Sequence, residues 1–264
     1  MANVHSTAVI APSASIHETS EVGPYAVIGP QVRLGPGNVV GPHVVIEGDT
    51  EIGADNRFLA SCSIGASPQI TGRSGHVGRL MIGDGNVFRE FVTVHAGGEG
   101  VTVLGCRNLI MATAHVAHDC RLGDDIVLAN GATLGGHVQI EDAAQVSGLC
   151  AIHQHVRIGT NAFVAGGSIV TQDVAPYCLV QGDRARLVSL NLVGLKRAGL
   201  STIEVAALKR VYRALFRGPG SMAQRIAALD ASAPDQRARR LLTFLRTSER
   251  GVITTPRRSF ATAA

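Results

Sequence analysis

The sequence has no tryptophan, little aromatic content of any kind (4%) and few charged residues (17%). From Met1 to Pro12 no basic stretch is followed by an apolar one, and no run of about 18 apolar residues occurs anywhere. The expectation is a soluble, cytoplasmic protein with no integral membrane segment. Its five cysteines (Cys62, Cys106, Cys120, Cys150, Cys178) are odd in number, widely spaced and without a C-x-x-C pair, so free, buried, reduced thiols are expected. Glycine is abundant (31 residues) yet never recurs at every third position, which excludes collagen. With 45% apolar residues and no long low-complexity tract, disorder is excluded as well. What remains, for 264 residues, is one ordinary domain with an appendage or two small domains.

What is present is a repeat. Ile10, Ile16, Val22, Ile28, Leu34, Val40, Ile46, Ile52, Phe58 and Ile64 stand six residues apart, and Gly23, Gly29, Gly35, Gly41 and Gly53 directly follow their apolar residue. The register returns at Ile82, Phe88 and Val94, slips by four residues, then runs unbroken from Leu104 to Val170. A period of six fits neither an amphipathic helix nor an alternating strand. It fits a parallel β-helix in which three six-residue units close one triangular coil, the apolar residue points inward, and coils stack at roughly 4.8 Å. Branched residues suit the narrow interior, and small residues and glycine are expected at the tight corners. Such repeats resemble the hexapeptide acyltransferases, a resemblance that implies a left-handed helix.

Beyond about residue 185 helical signals replace the repeat. Ser201 and Glu204 form a capping box ahead of Leu208, Val211, Tyr212, Leu215 and Phe216 on one face. Gly218-Pro219-Gly220 ends that segment, Ser221 and Gln224 repeat the start signal, and a last helix carries Leu241, Leu242 and Leu245. The expected division is a β-helix over 1–185 and a basic helical domain over 186–264. Charge divides at nearly the same place: residues 184–264 hold 16 Lys and Arg against 4 Asp and Glu, whereas residues 1–183 hold 8 against 16. A solvated helical surface would account for this by composition alone, but so large a shift at a fold boundary favours an acidic partner. Nucleic acid is not expected, for want of a recognised motif or interleaved aromatics.

Positions eighteen residues apart stack on one edge of such a prism. His118, Gly136 and Gln154 then share a column, and Asp119, His137 and His155 share the next. Gly135 and His153 lie in a third with residue 117, which His95 joins across the four-residue slip. His95, His115, His118, His137 and His153 therefore gather within a few coils. Two chemistries suit such a patch. A neutral imidazole can act as general base on a hydroxyl, with Asp119 beside His118 to hold its tautomer. Alternatively, three imidazoles can bind zinc and activate water, as in β-helical carbonic anhydrases; this reading leaves the basic tail without a role.

The run Met111 to Cys120, with Leu128-Ala129-Asn130 and Ala132 to His137, resembles the core of the UDP-N-acetylglucosamine O-acyltransferases, which begin lipid A synthesis. So do Val92 to His95, Ala151 to Gln154, Gln172-Asp173-Val174, Tyr177, Gln181-Gly182, Asn191 with Gly194 to Arg197, and Ser248 to Ile253. The resemblance spans essentially the whole chain. It implies a homotrimer with each active site between neighbouring β-helices, an acyl donor carried by acyl carrier protein, and neither a cofactor nor a metal. His118 would be the general base toward the sugar 3-hydroxyl, Asp119 would orient it, and the Gly136 N–H would stabilise the oxyanion, an effect of roughly 3 kcal/mol per donor. Gln69, His95, His115, His137, His153, Gln154, Asn191 and Arg197 would line the substrate cleft. Gly166 would gauge acyl length, leaving room for a longer chain. Lys196, Arg197, Lys209, Arg210 and Arg213 would meet the carrier protein, in an interaction sensitive to salt.

The sequence departs from the family pattern at the acceptor. Ile70 and Gly72 stand where the family has an Asp and a Lys, with Arg73 a replacement for the Lys. Val193 replaces a Glu, Ala198 replaces a second basic residue, and the loop after His95 is shorter. Losing a charge-assisted contact costs about 1.5 to 3 kcal/mol. A related acyltransferase acting on another sugar nucleotide is therefore the alternative to UDP-N-acetylglucosamine.

Overall fold

Each apolar residue of the repeat ends a strand that is two residues long over most of the chain, and the partner of each strand lies one coil away. The computed structural model describes residues 2–72, 78–232 and 235–254. Its strands form three parallel faces. The first runs from Asn3–Val4 to Cys178–Gln181, the second from Val9–Ile10 to Ile169–Val170, and the third from Ser15–Ile16 to Arg157–Ile158. Glu21 pairs with Val39 and Leu109 with Val127, the expected eighteen-residue step. Two steps are longer. Arg57 pairs with Val87 and Val87 with Leu109, steps that hold twelve and four residues more than one coil. Both sets of extra residues fall in the sequence between a second-face strand and a third-face strand, the interval that carries His118 in the following coil.

From Val22 onward the repeat residues are buried, and Phe58 stacks on Phe88 with ring centroids 4.8 Å apart. Ile10 and Ile16 are half-buried, at the end of the prism where the stack of coils stops. Four cysteines, Cys62, Cys120, Cys150 and Cys178, occupy a second inward position two residues ahead of the strand residue, and burial pushes the Cys120 thiol up to about 12. Cys106 departs from the expectation of burial: it is half-exposed on a corner, where its Sγ accepts the Asp84 N–H at 3.3 Å.

Glycine takes the corners in part, as expected, with left-handed backbone at Gly37, Gly85, Gly131 and Gly167 (φ 67–68°), but it is not required there. Left-handed backbone is adopted there by residues as large as Tyr25, His43, Phe91 and Leu149 (φ 56–60°). Gly35 instead serves close stacking, since a Cβ on it would stand 2.6 Å from the Gly53 carbonyl oxygen of the next coil.

Between the third and first faces, buried amides form an internal ladder that the hydrophobic pattern does not reveal. Asn38 Oδ1 accepts the Asn56 N–H, Asn56 Oδ1 the Asn86 N–H, Asn86 Oδ1 the Asn108 N–H and Asn108 Oδ1 the Ile126 N–H, all at 2.7–2.9 Å. Asn86 also donates to the Gly105 carbonyl at 3.0 Å. Removing a rung strands buried partners, each at about 1–3 kcal/mol. Asn86→Leu is expected to destabilise the chain by about 3 kcal/mol in urea unfolding, and a change below 1 kcal/mol would refute a stabilising ladder.

After the last coil, Arg186–Leu190 pairs antiparallel with Cys178–Gln181, and four helices follow: α1 (Leu192–Arg197), α2 (Thr202–Arg217), α3 (Met222–Ala231) and α4 (Gln236–Arg246). The Ser201–Glu204 and Ser221–Gln224 capping boxes both form. Leu208, Tyr212, Leu215, Leu241, Leu242 and Leu245 are buried. The helices return to the prism through Arg157, whose guanidinium lies 4.3 Å over the Phe244 ring. They return again through Asp173, which is 1% exposed: its N–H donates to Gly251 O and its carboxylate accepts from Ser248. Among the described residues no helix is long and apolar enough to cross a membrane.

Candidate active site

At the corner between the second and third faces, Asp119, His137 and His155 take left-handed backbone (φ 59°, 61° and 63°) and stack coil upon coil. His137 and His155 lie face to face at 4.5 Å, and His118 meets His137 edge-on at 5.2 Å. The His118 Nδ1 lies 2.8 Å from Asp119 Oδ2. The Gly98 and Gly100 N–H groups also donate to this carboxylate, at 3.0 and 3.2 Å. The loop after His95 thus supplies the backbone donors that hold the acid. Partial burial opposes the Asp119 charge, but the hydrogen bond from His118, the two loop amides and nearby His137 outweigh it and hold the carboxyl below its usual range. An ionised carboxylate only accepts, so in the neutral imidazole His118 Nδ1 carries the proton and Nε2 the lone pair.

That lone pair lies against Gly136. A Cβ on Gly136 would stand 2.6 Å from both Cε1 and Nε2 of His118, so the ring occupies the space that a side chain would fill. The Gly136 N–H has no partner among the described residues, whereas Gly135 and His137 on either side donate to Ile152 O and His118 O. A cleft of about 660 Å³ opens over this corner, lined by Gln69, Ile70, His118, Asp119, His137 and Gln154, which the sequence singles out. Thr71, Glu99, Gly100, Val101, Arg121 and His155 line it too and were not among the expected site residues. His155 already shared a column with Asp119 and His137; the others belong to extruded loops or to the third face, which carry no motif. Ile70 packs beside Gly98, next to the His118–Asp119 pair, so an apolar wall replaces the expected carboxylate. Arg73 lies outside the described residues.

The other imidazoles lie around this centre in different settings. His95 and His115 meet edge-on at 4.8 Å, and His115 Nδ1 is 2.7 Å from Thr93 Oγ1. His95 is 6% exposed and its Nδ1 has no hydrogen-bond partner among the described residues. Burial, reinforced by His115 and His118, pushes it down to about 4, and burial lowers His115 as well. His153 turns to the C-terminal segment, with Nδ1 3.2 Å from an Arg250 nitrogen. Because His95 is held neutral in the fold and titrates near 6.5 unfolded, the stability it contributes is complete above pH 6.5 and is lost as pH falls toward 4. Urea unfolding between pH 7 and pH 4.5 is expected to lose on the order of 2 kcal/mol more in the native protein than in His95→Asn, and equal slopes would refute this.

Asn191 and Arg197 are not in this cleft within one chain. They lie on the first face beside Gln145, Phe163 and Val193, in a separate pocket of about 430 Å³. The Asn191 side chain caps α1 by accepting the Gly194 N–H at 2.9 Å and donates to Asn161 O at 3.0 Å. Gly166, between the first and second faces, leaves room for a methyl group, since a Cβ there meets only Gly148 O at 3.5 Å and Ser147 Cβ at 4.0 Å. Lys196, Arg197, Arg210 and Arg213 are exposed, and Lys209 is half-buried.

The zinc alternative asked for three imidazoles. The metal-capable group among the described residues instead comprises His118, Asp119 and His137, with ligand atoms within 4.8 Å of one another. In it Asp119 Oδ2 already accepts from His118 and Gly98, so an ion would have to displace both donors. The set fits a hydrogen-bonded acid and base better than a metal.

Comparisons with known proteins bear on the fold and the family. Residues 173–253 match the second domain of the UDP-N-acetylglucosamine O-acyltransferases, and residues 13–48 and 101–136 match bacterial transferase hexapeptide repeats. The acyl-(acyl-carrier-protein)–UDP-N-acetylglucosamine O-acyltransferase of Verminephrobacter eiseniae is 45% identical over 261 residues, covering 96% of this chain and all of that protein. The protein of the same name from Herminiimonas arsenicoxydans is 44% identical over the same span. The crystal structure of the Francisella novicida UDP-N-acetylglucosamine acyltransferase superposes with a TM-score of 0.93 at 34% identity, covering 96% of this chain and 95% of that one. With 96% of the chain matched at 45% identity and the helical tail matched by the family's own second domain, this chain belongs to the UDP-N-acetylglucosamine O-acyltransferase family.

Proposed function

We propose that this chain moves an acyl group from the thioester of acyl carrier protein to the 3-hydroxyl of UDP-N-acetylglucosamine, the first step of lipid A synthesis, in the cytoplasm. The observation that carries the reading is the 2.8 Å contact between His118 and Asp119 with Nε2 turned to Gly136. His118 Nε2 takes the hydroxyl proton as the sugar oxygen attacks the thioester carbonyl. The new C–O bond forms, the oxyanion rests on the Gly136 N–H, the C–S bond breaks, and the proton passes to the departing thiolate. His137, Gln154 and Gln69 line the same cleft and orient the substrates.

The active unit in this reading is a homotrimer. Asn191 and Arg197 sit on a different face from the histidines of their own chain, and His95 Nδ1 is buried without a partner among the described residues. A neighbouring copy whose first face abuts this corner brings the two sets together. Gly166 gauges the acyl chain, and Lys196, Arg197, Lys209, Arg210 and Arg213 attract the acidic carrier.

Turnover of acyl carrier protein thioesters against a panel of UDP-sugars tests the reading. UDP-N-acetylglucosamine is expected to give the highest kcat/KM, and raising salt from 50 to 500 mM to raise KM for the carrier thioester several-fold. Preference for another sugar nucleotide would transfer the assignment to the alternative acceptor, which Ile70 in place of a carboxylate favours.

A further inference from the structure

Residues 248–253 lie as a strap across the last coils. Ser248 Oγ donates to Asp173, the Asp173 N–H donates to Gly251 O, and the Ile253 N–H donates to Asp173 O. Between these anchors Arg250 reaches back, donating from Nε and Nη2 to Thr171 O at 3.3 and 3.2 Å. The same Nη2 stands 3.2 Å from His153 Nδ1. The carbonyl oxygen of Gln154 lies 3.2 Å from that ring nitrogen as well.

These two contacts require opposite protonation of one nitrogen. A guanidinium only donates, so it bonds Nδ1 when that atom bears a lone pair; a carbonyl only accepts, so it bonds Nδ1 when that atom bears the proton. A hydrogen bond from a cation is roughly twice as strong as one between neutral groups, and Arg250 is already fixed by Thr171 and the strap. We propose that Arg250 is a positioning residue that sets His153 in the Nε2–H tautomer, so that this imidazole presents an N–H donor, not a lone pair, to an oxygen of the bound sugar nucleotide. This rests on the reading of His153 as a substrate-lining residue. It divides the labour of the histidines: Asp119 leaves His118 Nε2 free to take a proton, and Arg250 leaves His153 Nε2 able only to give a hydrogen bond. Two neighbours of opposite charge thus prepare two imidazoles of the same corner for opposite tasks.

Long-range ¹H–¹⁵N spectra of the full-length protein report each histidine tautomer directly. The native protein is expected to show His153 as Nε2–H, Arg250→Ala to shift it to Nδ1–H through the Gln154 carbonyl, and Arg250→Lys to restore the native pattern in part. Ser248→Ala, which loosens the strap but keeps the guanidinium, should leave the tautomer unchanged. In turnover, Arg250→Ala should raise KM for UDP-N-acetylglucosamine about tenfold with kcat within twofold. A native His153 that is Nδ1–H, or an unchanged tautomer in Arg250→Ala, overturns the proposal. A tautomer shift with unaltered KM overturns the assigned role toward substrate. If native protein does not turn over UDP-N-acetylglucosamine, the acceptor reading fails while the spectra still decide what Arg250 does.

Discussion

His118→Ala is expected to lower kcat by about 10³-fold, within the 10²- to 10⁴-fold range of a positioned general base, with the fold intact. The imidazole is 18% exposed at the edge of the cleft, so its loss opens no cavity in the prism core. Asp119 keeps the Gly98 and Gly100 N–H groups and does not become an unpaired buried charge. The residual rate comes from substrate positioning and from the Gly136 N–H. Steady-state kinetics with the carrier thioester, alongside circular dichroism and sedimentation, separates chemistry from assembly. A kcat within tenfold of native in a folded variant would remove His118 from the mechanism.

Gly136→Ala should cost nearly as much activity without removing any functional group. Its methyl carbon would lie 2.6 Å from Cε1 and Nε2 of His118, well inside van der Waals contact. Either the ring rotates away from Asp119 or the coil is displaced, and overpacking of this kind costs about 1–3 kcal/mol. A base moved by even 1 Å loses about 10²-fold in rate, so kcat is expected to fall by that factor with KM little changed. The clash predicts coupling. In a His118→Ala background the methyl group has room, so the stability loss seen with Gly136→Ala alone should largely disappear, a coupling energy of about 1–2 kcal/mol in a double-mutant cycle. Additive stability changes would show that glycine is required there for some other reason.

Much of this was legible from residue order. The six-residue spacing of Val22 through Val170 placed the core, because one inward side chain per short strand is the condition for closing a narrow prism. Eighteen-residue stacking put His118 beside Gly136, and Asp119 beneath His137 and His155, because parallel in-register strands convert a fixed sequence interval into a fixed direction in space. The Ser201 and Ser221 boxes were readable because a helix start is a local event.

What escaped reading depended on chain far from the residue concerned. Arg121 stands on the third face, and its nearness to His137 follows from the corner angle and not from any interval. Tyr25, Phe91 and Leu149 take left-handed corners against their own preference because two neighbouring coils enforce them. Asn191 carries the family motif, yet its side chain caps α1, and only the packing of that helix on the first face shows how far it stands from the histidines of its own chain.

The sequence by itself determined the repeating architecture, the helical tail and the pairing of His118 with Asp119, since each depends on periodicity or on adjacent residues. Tertiary structure decided how those groups are tuned: loop amides of Gly98 and Gly100 help hold the Asp119 carboxyl below its usual range, the missing Cβ of Gly136 makes space for the His118 ring, and Arg250 returns from beyond the last helix to His153. Proton location and charge respond to atoms within about 3 Å, and such neighbours are supplied by folding across long stretches of chain, which no local pattern of residues encodes.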